Sequence, residues 1–290
     1  MKWIEYEKDL NLFEEFNKEY KPMTQSEKYK CVRVLIEYFS KDSSWKISRL
    51  PDTYEQRREI LRGLLNVYPV REIDVNILNM LHRLLLSEHE EKTIVDVNNL
   101  EEVEENIAIY RGDITNLKAD AIVNAANSKL LGCLKPLHEC IDNSIHSNAG
   151  PRLREDCNKI IEKQQHLEYT GQAKITRAYC LPSKFVIHTV GPFIHNEKPS
   201  KEEKKQLVSC YKSCLNIVKE IDEIKNIVFC CISTGVFGYP KDQAAKIAIS
   251  TVRDWLEENT NKNIKVIFNV FSHEDEEIYK SMFRKLECKI

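Results

Sequence analysis

The chain has 290 residues, 42% hydrophobic and 30% charged, with a formal net charge of -2. That length suits one large or two ordinary domains, and that balance excludes an intrinsically disordered chain. The missing basic excess argues against a nucleic-acid binder, and no apolar run is long enough for a membrane span.

The start MKWIEYEKDL is charged and has no apolar signal-peptide core. The expected setting is therefore cytoplasmic, where the ten cysteines stay reduced as core residues or metal ligands. Residues 1–95 read as a small all-helical region. Cys31, Val32, Leu35, Ile36 and Phe39 recur at helical spacing, Gln56 to Val67 reads as a second helix, and Ile73, Ile77, Leu78, Leu81, Leu84 and Leu85 mark a third. These stripes are core packing, and no chemistry is visible among them.

Over 96–290, taken as a second domain, short apolar strands alternate with longer helices. The strands are predicted at 121–126, 185–190, 227–232 and 264–270, and the helices at 152–165, 201–221 and 241–258. Gly150-Pro151 and Tyr239-Pro240 mark helix starts, since proline suits a first helical turn. Such alternation implies an α/β sheet covered by helices on both faces, with ligands bound at the carboxyl ends of the strands.

Three loops then carry the chemistry. In GDITNL, Asp113 at a strand end can accept a hydrogen bond from an exocyclic amine or cap the short turn after it. Asn124 and Asn127 close a buried strand, where an amide needs partners. They can hold sugar hydroxyls or brace the loop.

The run GCLKPLHECIDN places Cys133, His138 and Cys140 within eight residues. Two thiolates and an imidazole suit zinc, and three protein ligands leave the fourth position that catalytic zinc sites keep open. The alternative is two buried thiols and a surface histidine. In STGVFGYP, Ser233 to Pro240, two glycines frame two apolar residues ahead of a helix, so successive N–H groups can cradle an anion. A tight strand-to-helix turn is the plainer reading. His188 reads as a hydrogen-bonded core histidine, His146 as a brace for the loop, and Cys210, Cys214, Cys230 and Cys231 as small core hydrophobes.

Together these strings resemble the macrodomain family: GDIT at 112–115, NAAN at 124–127, IDNSIHSNAG at 141–150 and STGVFGYP at 233–240, with TGQAKIT at 170–176 and HTVGP at 188–192. The likeness covers about residues 100–290. GCLKPLHEC stands where most macrodomain hydrolases have a glycine-rich stretch. That replacement and the helical extension resemble the zinc-dependent subfamily linked to sirtuin-type ADP-ribosyltransferases.

The resemblance implies a three-layer α/β/α fold with a mixed sheet. It implies one catalytic Zn2+ per chain on Cys133, His138 and Cys140, with an open fourth position. Asp113 and Ile114 would read adenine, with Phe271 stacking, and Ser233, Thr234, Gly235, Val236 and Phe237 would cradle the diphosphate. Gly132 and Asn127 would meet the distal ribose, and Asn127 and Asp142 would be the catalytic residues, although Asp142 could instead cap the helix after Cys140. The function implied is a zinc-dependent hydrolase removing mono-ADP-ribose from proteins at the distal ribose anomeric carbon. Its partners would be ADP-ribose, the modified protein and a sirtuin-type transferase system, without nucleic acid or membrane. The alternative is a reader that binds ADP-ribose without turnover.

Overall fold

A computed structural model describes residues 1–16, 18–41, 43, 45–47, 49–195 and 198–287. Three helices come first: α1 (Gln25–Ser40), α2 (Tyr54–Val67) and α3 (Val75–Glu90). Each start is fixed by a side chain that accepts orphan N–H groups: Thr24, with Glu27 closing a capping box, then Thr53 and Asp74. The predicted stripes meet in one core containing Val32, Leu35, Phe39, Leu61, Leu64, Leu81 and Leu84.

The sheet region follows as β1 (Val95–Asp96), β2 (Glu102–Glu104), β3 (Ile107–Arg111), β4 (Leu117–Lys118), β5 (Ala121–Ala126), α4 (Ile141–Ala149), α5 (Pro151–Gln164), β6 (Ala173–Arg177), β7 (Phe185–Val190), α6 (Lys201–Glu220), β8 (Asn226–Phe229), α7 (Lys241–Glu258), β9 (Lys265–Val270) and α8 (His273–Glu287). Seven strands form one sheet in the order β2-β3-β9-β8-β5-β7-β6. The five inner strands run parallel, and β2 and β6 add antiparallel edges. This is the expected mixed sheet, flanked by helices in an α/β/α arrangement. Four of the inner strands, β5, β7, β8 and β9, are buried along nearly their whole length, as a sheet covered on both faces requires, whereas β3 is buried only at Ile107 and Ala108.

Three details differ from the sequence expectation. The strand predicted to reach Ile232 stops at Phe229, because Thr234 turns back to bond the Cys231 carbonyl through both its N–H and its hydroxyl. The edge strands β2 and β6 and the C-terminal α8 are present although composition did not mark them. Beta-edge strands and a charged amphipathic helix lack the continuous apolar run that identifies the inner strands. Finally, Tyr6, Leu10 and Leu12 pack into the core of the sheet, not into the helical one. The Tyr6 hydroxyl accepts the N–H of Ile175 at 2.8 Å, occupying a donor on edge strand β6.

Candidate active site

The carboxyl ends of the parallel strands carry the site. In β5, Asn124 is fully buried and lies in register with His188 of β7. Its Nδ2 donates to Asp142 Oδ1 at 2.8 Å and faces His188 Nδ1 at 3.2 Å. An amide nitrogen can only donate, so Nδ1 accepts and Nε2 carries the proton toward Thr176 Oγ1, 3.0 Å away. Asn127 continues the pattern just past β5. Its Nδ2 reaches the Gly132 carbonyl at 3.1 Å and Asp142 Oδ2 at 3.3 Å, and its Oδ1 accepts from Lys129 N–H.

Each carboxylate oxygen of Asp142 is thus held by one asparagine, and Asp142 sits in the first turn of α4 without capping it. Negative charge is favoured at a helix N-terminus. Burial pushes the carboxyl up to about 6, opposed by the Asn124 bond, the Arg154 charge and the Asn127 bond.

The loop from β5 to α4 brings the three predicted metal donors together. Cys133 Sγ lies 3.4 Å from His138 Nδ1, and the donor atoms of Cys133, His138 and Cys140 all lie within 4.8 Å of one another. Positive φ at Gly132 (78°) and Leu137 (58°) makes the turns that allow this. All three side chains are half-buried, so one side stays open to solvent. Burial pushes the Cys140 thiol up to about 12, and the neighbouring Cys133 adds to that. Ionised together, two such thiols would need a cation between them, so the donor chemistry fits a soft divalent metal.

A second group, His146, Cys157 and His188, also brings three donors within 4.8 Å, fully buried. Spacing along the chain gave no sign of it, because its members come from α4, α5 and β7. His188 is already engaged at both nitrogens by Asn124 and Thr176, and its Nε2 also contacts Cys157 Sγ at 3.6 Å. Neither ring nitrogen of His146 has a hydrogen-bond partner among the described residues. That ring packs on the metal loop, 2.9 Å from where a Cβ at Gly132 would stand, and its Nε2 is 3.5 Å from Asp142. His146 therefore packs against both the loop and the carboxylate.

The loop Ser233–Pro240 closes on itself through Tyr239 N–H to Ser233 O and Gly238 N–H to Gly235 O, with positive φ at Ser233 and Gly238. The N–H groups of Gly235, Val236 and Phe237 have no acceptor among the described residues. A Cβ at Gly235 would meet nothing within 4 Å, and Val236 is 65% exposed. These unpaired donors lie in succession on an exposed loop, as an anion cradle needs.

At the neighbouring strand ends, Asp113 uses Oδ1 to accept from Thr115 N and Oγ1, so it caps the ITN turn. Its second oxygen makes no hydrogen bond among the described residues. Ile114 is buried beside it. Phe271, just past β9, is 79% exposed, which is no core position. Gly112 N–H bonds Val270 O at 3.0 Å, so Asp113 and Phe271 lie on adjoining strand ends.

Sequence reasoning passed over Arg154 and Asn66. Arg154 donates to the carbonyls of Leu131, Leu65, Tyr68 and Asn66, joining the loop to the C-terminus of α2. A helical arginine gives no local signal for such a role.

Comparison with known proteins gives the same picture. Residues 123–248 match the family described as Macro domain. A protein of Staphylococcus aureus (strain MRSA252) named "Protein-ADP-ribose hydrolase" is 45% identical over 237 residues, 81% of this chain and 88% of its own. One of the same name from Treponema medium is 42% identical over 266 residues, 90% of this chain and 99% of its own. The Trypanosoma brucei macrodomain in complex with ADP-ribose superimposes with a TM-score of 0.58 at 29% identity, covering 73% of this chain and 92% of that one. This chain belongs to the macro domain family.

Proposed function

We propose that the protein is a zinc-dependent protein-ADP-ribose hydrolase, removing mono-ADP-ribose from modified proteins by cleavage at the anomeric carbon of the distal ribose. The carrying observation is the position of Asn127, whose one amide group bonds both Gly132, next to the Cys133–His138–Cys140 cluster, and the carboxylate of Asp142. Asn127 therefore ties the loop that carries the proposed metal donors to a buried acid beyond the sheet. The name shared by the Staphylococcus and Treponema relatives supports the hydrolase reading, and the ADP-ribose complex of the Trypanosoma relative supports the ligand.

In this reading Asp113 and Ile114 bind adenine with Phe271 over its face, and the N–H groups from Ser233 to Phe237 hold the diphosphate. Gly132 and Asn127 meet the distal ribose. Water adds to its anomeric carbon as the bond to the protein-side atom breaks, and the proton lost by the water ends on the departing group. Asp142, fixed by two asparagines, stabilises the positive charge that develops at that carbon without reorganising. A zinc ion held by Cys133, His138 and Cys140 would supply Lewis acidity toward a water or a ribose oxygen.

A sirtuin-type ADP-ribosyltransferase system is the class of enzyme that would supply the modified protein. A cytoplasmic setting is supported by the described cysteines, all of which are free thiols. In this reading a helical region covers 1–95 and the macrodomain 96–290, with β1 spanning that boundary and Tyr6, Leu10 and Leu12 lent to the sheet core. Release of ADP-ribose from a modified protein tests the proposal, and binding of ADP-ribose without release would make the protein a reader.

A further inference from the structure

We infer that Asn66, a residue of the helical N-terminal region, positions the metal-donor loop, so that cation affinity at Cys133, His138 and Cys140 depends on a side chain from outside the sheet region. The inference rests on the metal reading above.

Asn66 lies near the end of α2, outside the stretch that matches the Macro domain, and is 1% exposed. Its Oδ1 accepts the N–H of Leu137 at 3.1 Å, and its Nδ2 donates to Ser147 Oγ on α4 at 3.1 Å. Leu137 directly precedes the donor His138 and holds φ at 58°, a left-handed conformation that costs a branched side chain energy. Something packed must hold it there. The loop's other ties near that point are few: His138 N–H to Lys135 O at 3.3 Å, Cys140 N–H to His138 O at 3.0 Å, and Asn143 Nδ2 to Lys135 O at 3.2 Å.

Asn66 is itself held. Arg154 binds the carbonyls of Leu65, Asn66 and Tyr68 and, through Nε, the carbonyl of Leu131 at 2.7 Å. The stretch carrying Cys133 is therefore gripped at both ends, at Leu131 by Arg154 and at Leu137 by Asn66. The void between these groups, lined by Leu65, Asn66, His146, Ser147 and Arg154, is only about 10 Å³. A partner that orients a metal ligand from behind typically changes affinity about 10- to 100-fold when removed. Asn66 is such a partner acting through the backbone, a positioning residue with no contact to the reacting atoms.

The test uses the full chain loaded with zinc, with affinity read by competition against a chromogenic chelator and geometry read from the thiolate charge-transfer band of the cobalt form. Asn66→Ala is expected to weaken zinc about 10- to 100-fold and shift that band, with ADP-ribose affinity within about twofold. Asn66→Asp keeps an acceptor for Leu137 and is expected to restore zinc affinity to within about threefold. Ser147→Ala removes the asparagine's other partner and is expected to leave zinc affinity unchanged. Should the alanine variant not fold, the aspartate variant and slow exchange of the Leu137 amide in the parent protein carry the same prediction. Parent-like zinc affinity in folded Asn66→Ala, or an equal loss in Ser147→Ala, overturns the inference while leaving the metal reading intact. A parent protein that binds no zinc overturns both.

Discussion

Asn124 donates a 2.8 Å hydrogen bond to Asp142 between buried β5 and the first turn of α4, and neither residue is more than 5% exposed. A carboxylate buried this deeply needs fixed donors, and it receives one on each oxygen. The relationship links fold to function: a strand residue holds an acid beside the loop that carries the proposed metal donors.

Asp142→Ala should therefore lower the rate of ADP-ribose release by about 10²-fold or more, the usual consequence of losing a preorganised charge. ADP-ribose affinity should fall much less, since most of the ligand lies elsewhere. Asn124→Ala should cost about 1–3 kcal/mol of stability by leaving the acid without its strongest donor, and should slow release as well. Single-turnover assays, ADP-ribose titration and urea unfolding measure these effects. Unchanged release by Asp142→Ala would remove the residue from the mechanism.

Two glycines near the Ser233–Pro240 loop separate fold from ligand. A Cβ at Gly191 would collide with Oγ of Ser233, so Gly191→Ala should displace the loop and weaken both stability and ADP-ribose binding. A Cβ at Gly235 meets open space. Gly235→Val should therefore leave the melting temperature nearly unchanged while weakening ADP-ribose about tenfold or more, because the side chain occupies the volume assigned to the diphosphate; a tenfold change corresponds to about 1.4 kcal/mol. Isothermal titration and thermal melts of the two variants check this. Normal ADP-ribose affinity in Gly235→Val would place the diphosphate elsewhere.

Stability should fall on mild acidification. Burial, aided by the Arg152 charge, pushes His82 down to about 4, and burial with the Lys92 charge does the same to His89. Burial pushes His188 to about 3. These imidazoles stay neutral in the folded protein, whereas in the unfolded chain they protonate near 6.5. At these sites unfolding takes up protons, so their contribution is full above about pH 6.5 and declines as pH falls toward 4; the Asp142 carboxyl, raised to about 6, offsets part of that loss below about pH 6. The loss reaches at most about 3 kcal/mol for each of the first two histidines. Urea midpoints across pH 4–7.5 measure it, and a flat profile there would contradict the assignment.

Much of this site was legible in the sequence because its parts are local. Cys133, His138 and Cys140 lie within eight residues, so their nearness in space could be expected from the sequence, although not what holds the loop that carries them. The Ser233–Pro240 loop is likewise marked by its glycines and by the proline that starts α7. Four of the five inner strands stood out as continuous apolar runs; β3, which is only partly buried, did not. What could not be read was long-range. Asn66 reaches Leu137, Arg154 reaches back to α2, and Tyr6 caps β6 across 169 positions. Thr176 and Cys157 join His188 only because three elements converge on it. No periodicity records a partner that distant. The exposure of Phe271 was also undetermined, since an aromatic ending a buried strand fits a core as well as an open site.

The most direct test of the account is ADP-ribose release from a mono-ADP-ribosylated protein, measured with metal content before chelation, after chelation, and after zinc is restored. The account predicts about one zinc per chain, loss of release on chelation, recovery with zinc, and no recovery in Cys133→Ala or His138→Ala, while ADP-ribose still binds. Full release by the chelated protein, or by either variant, would contradict it.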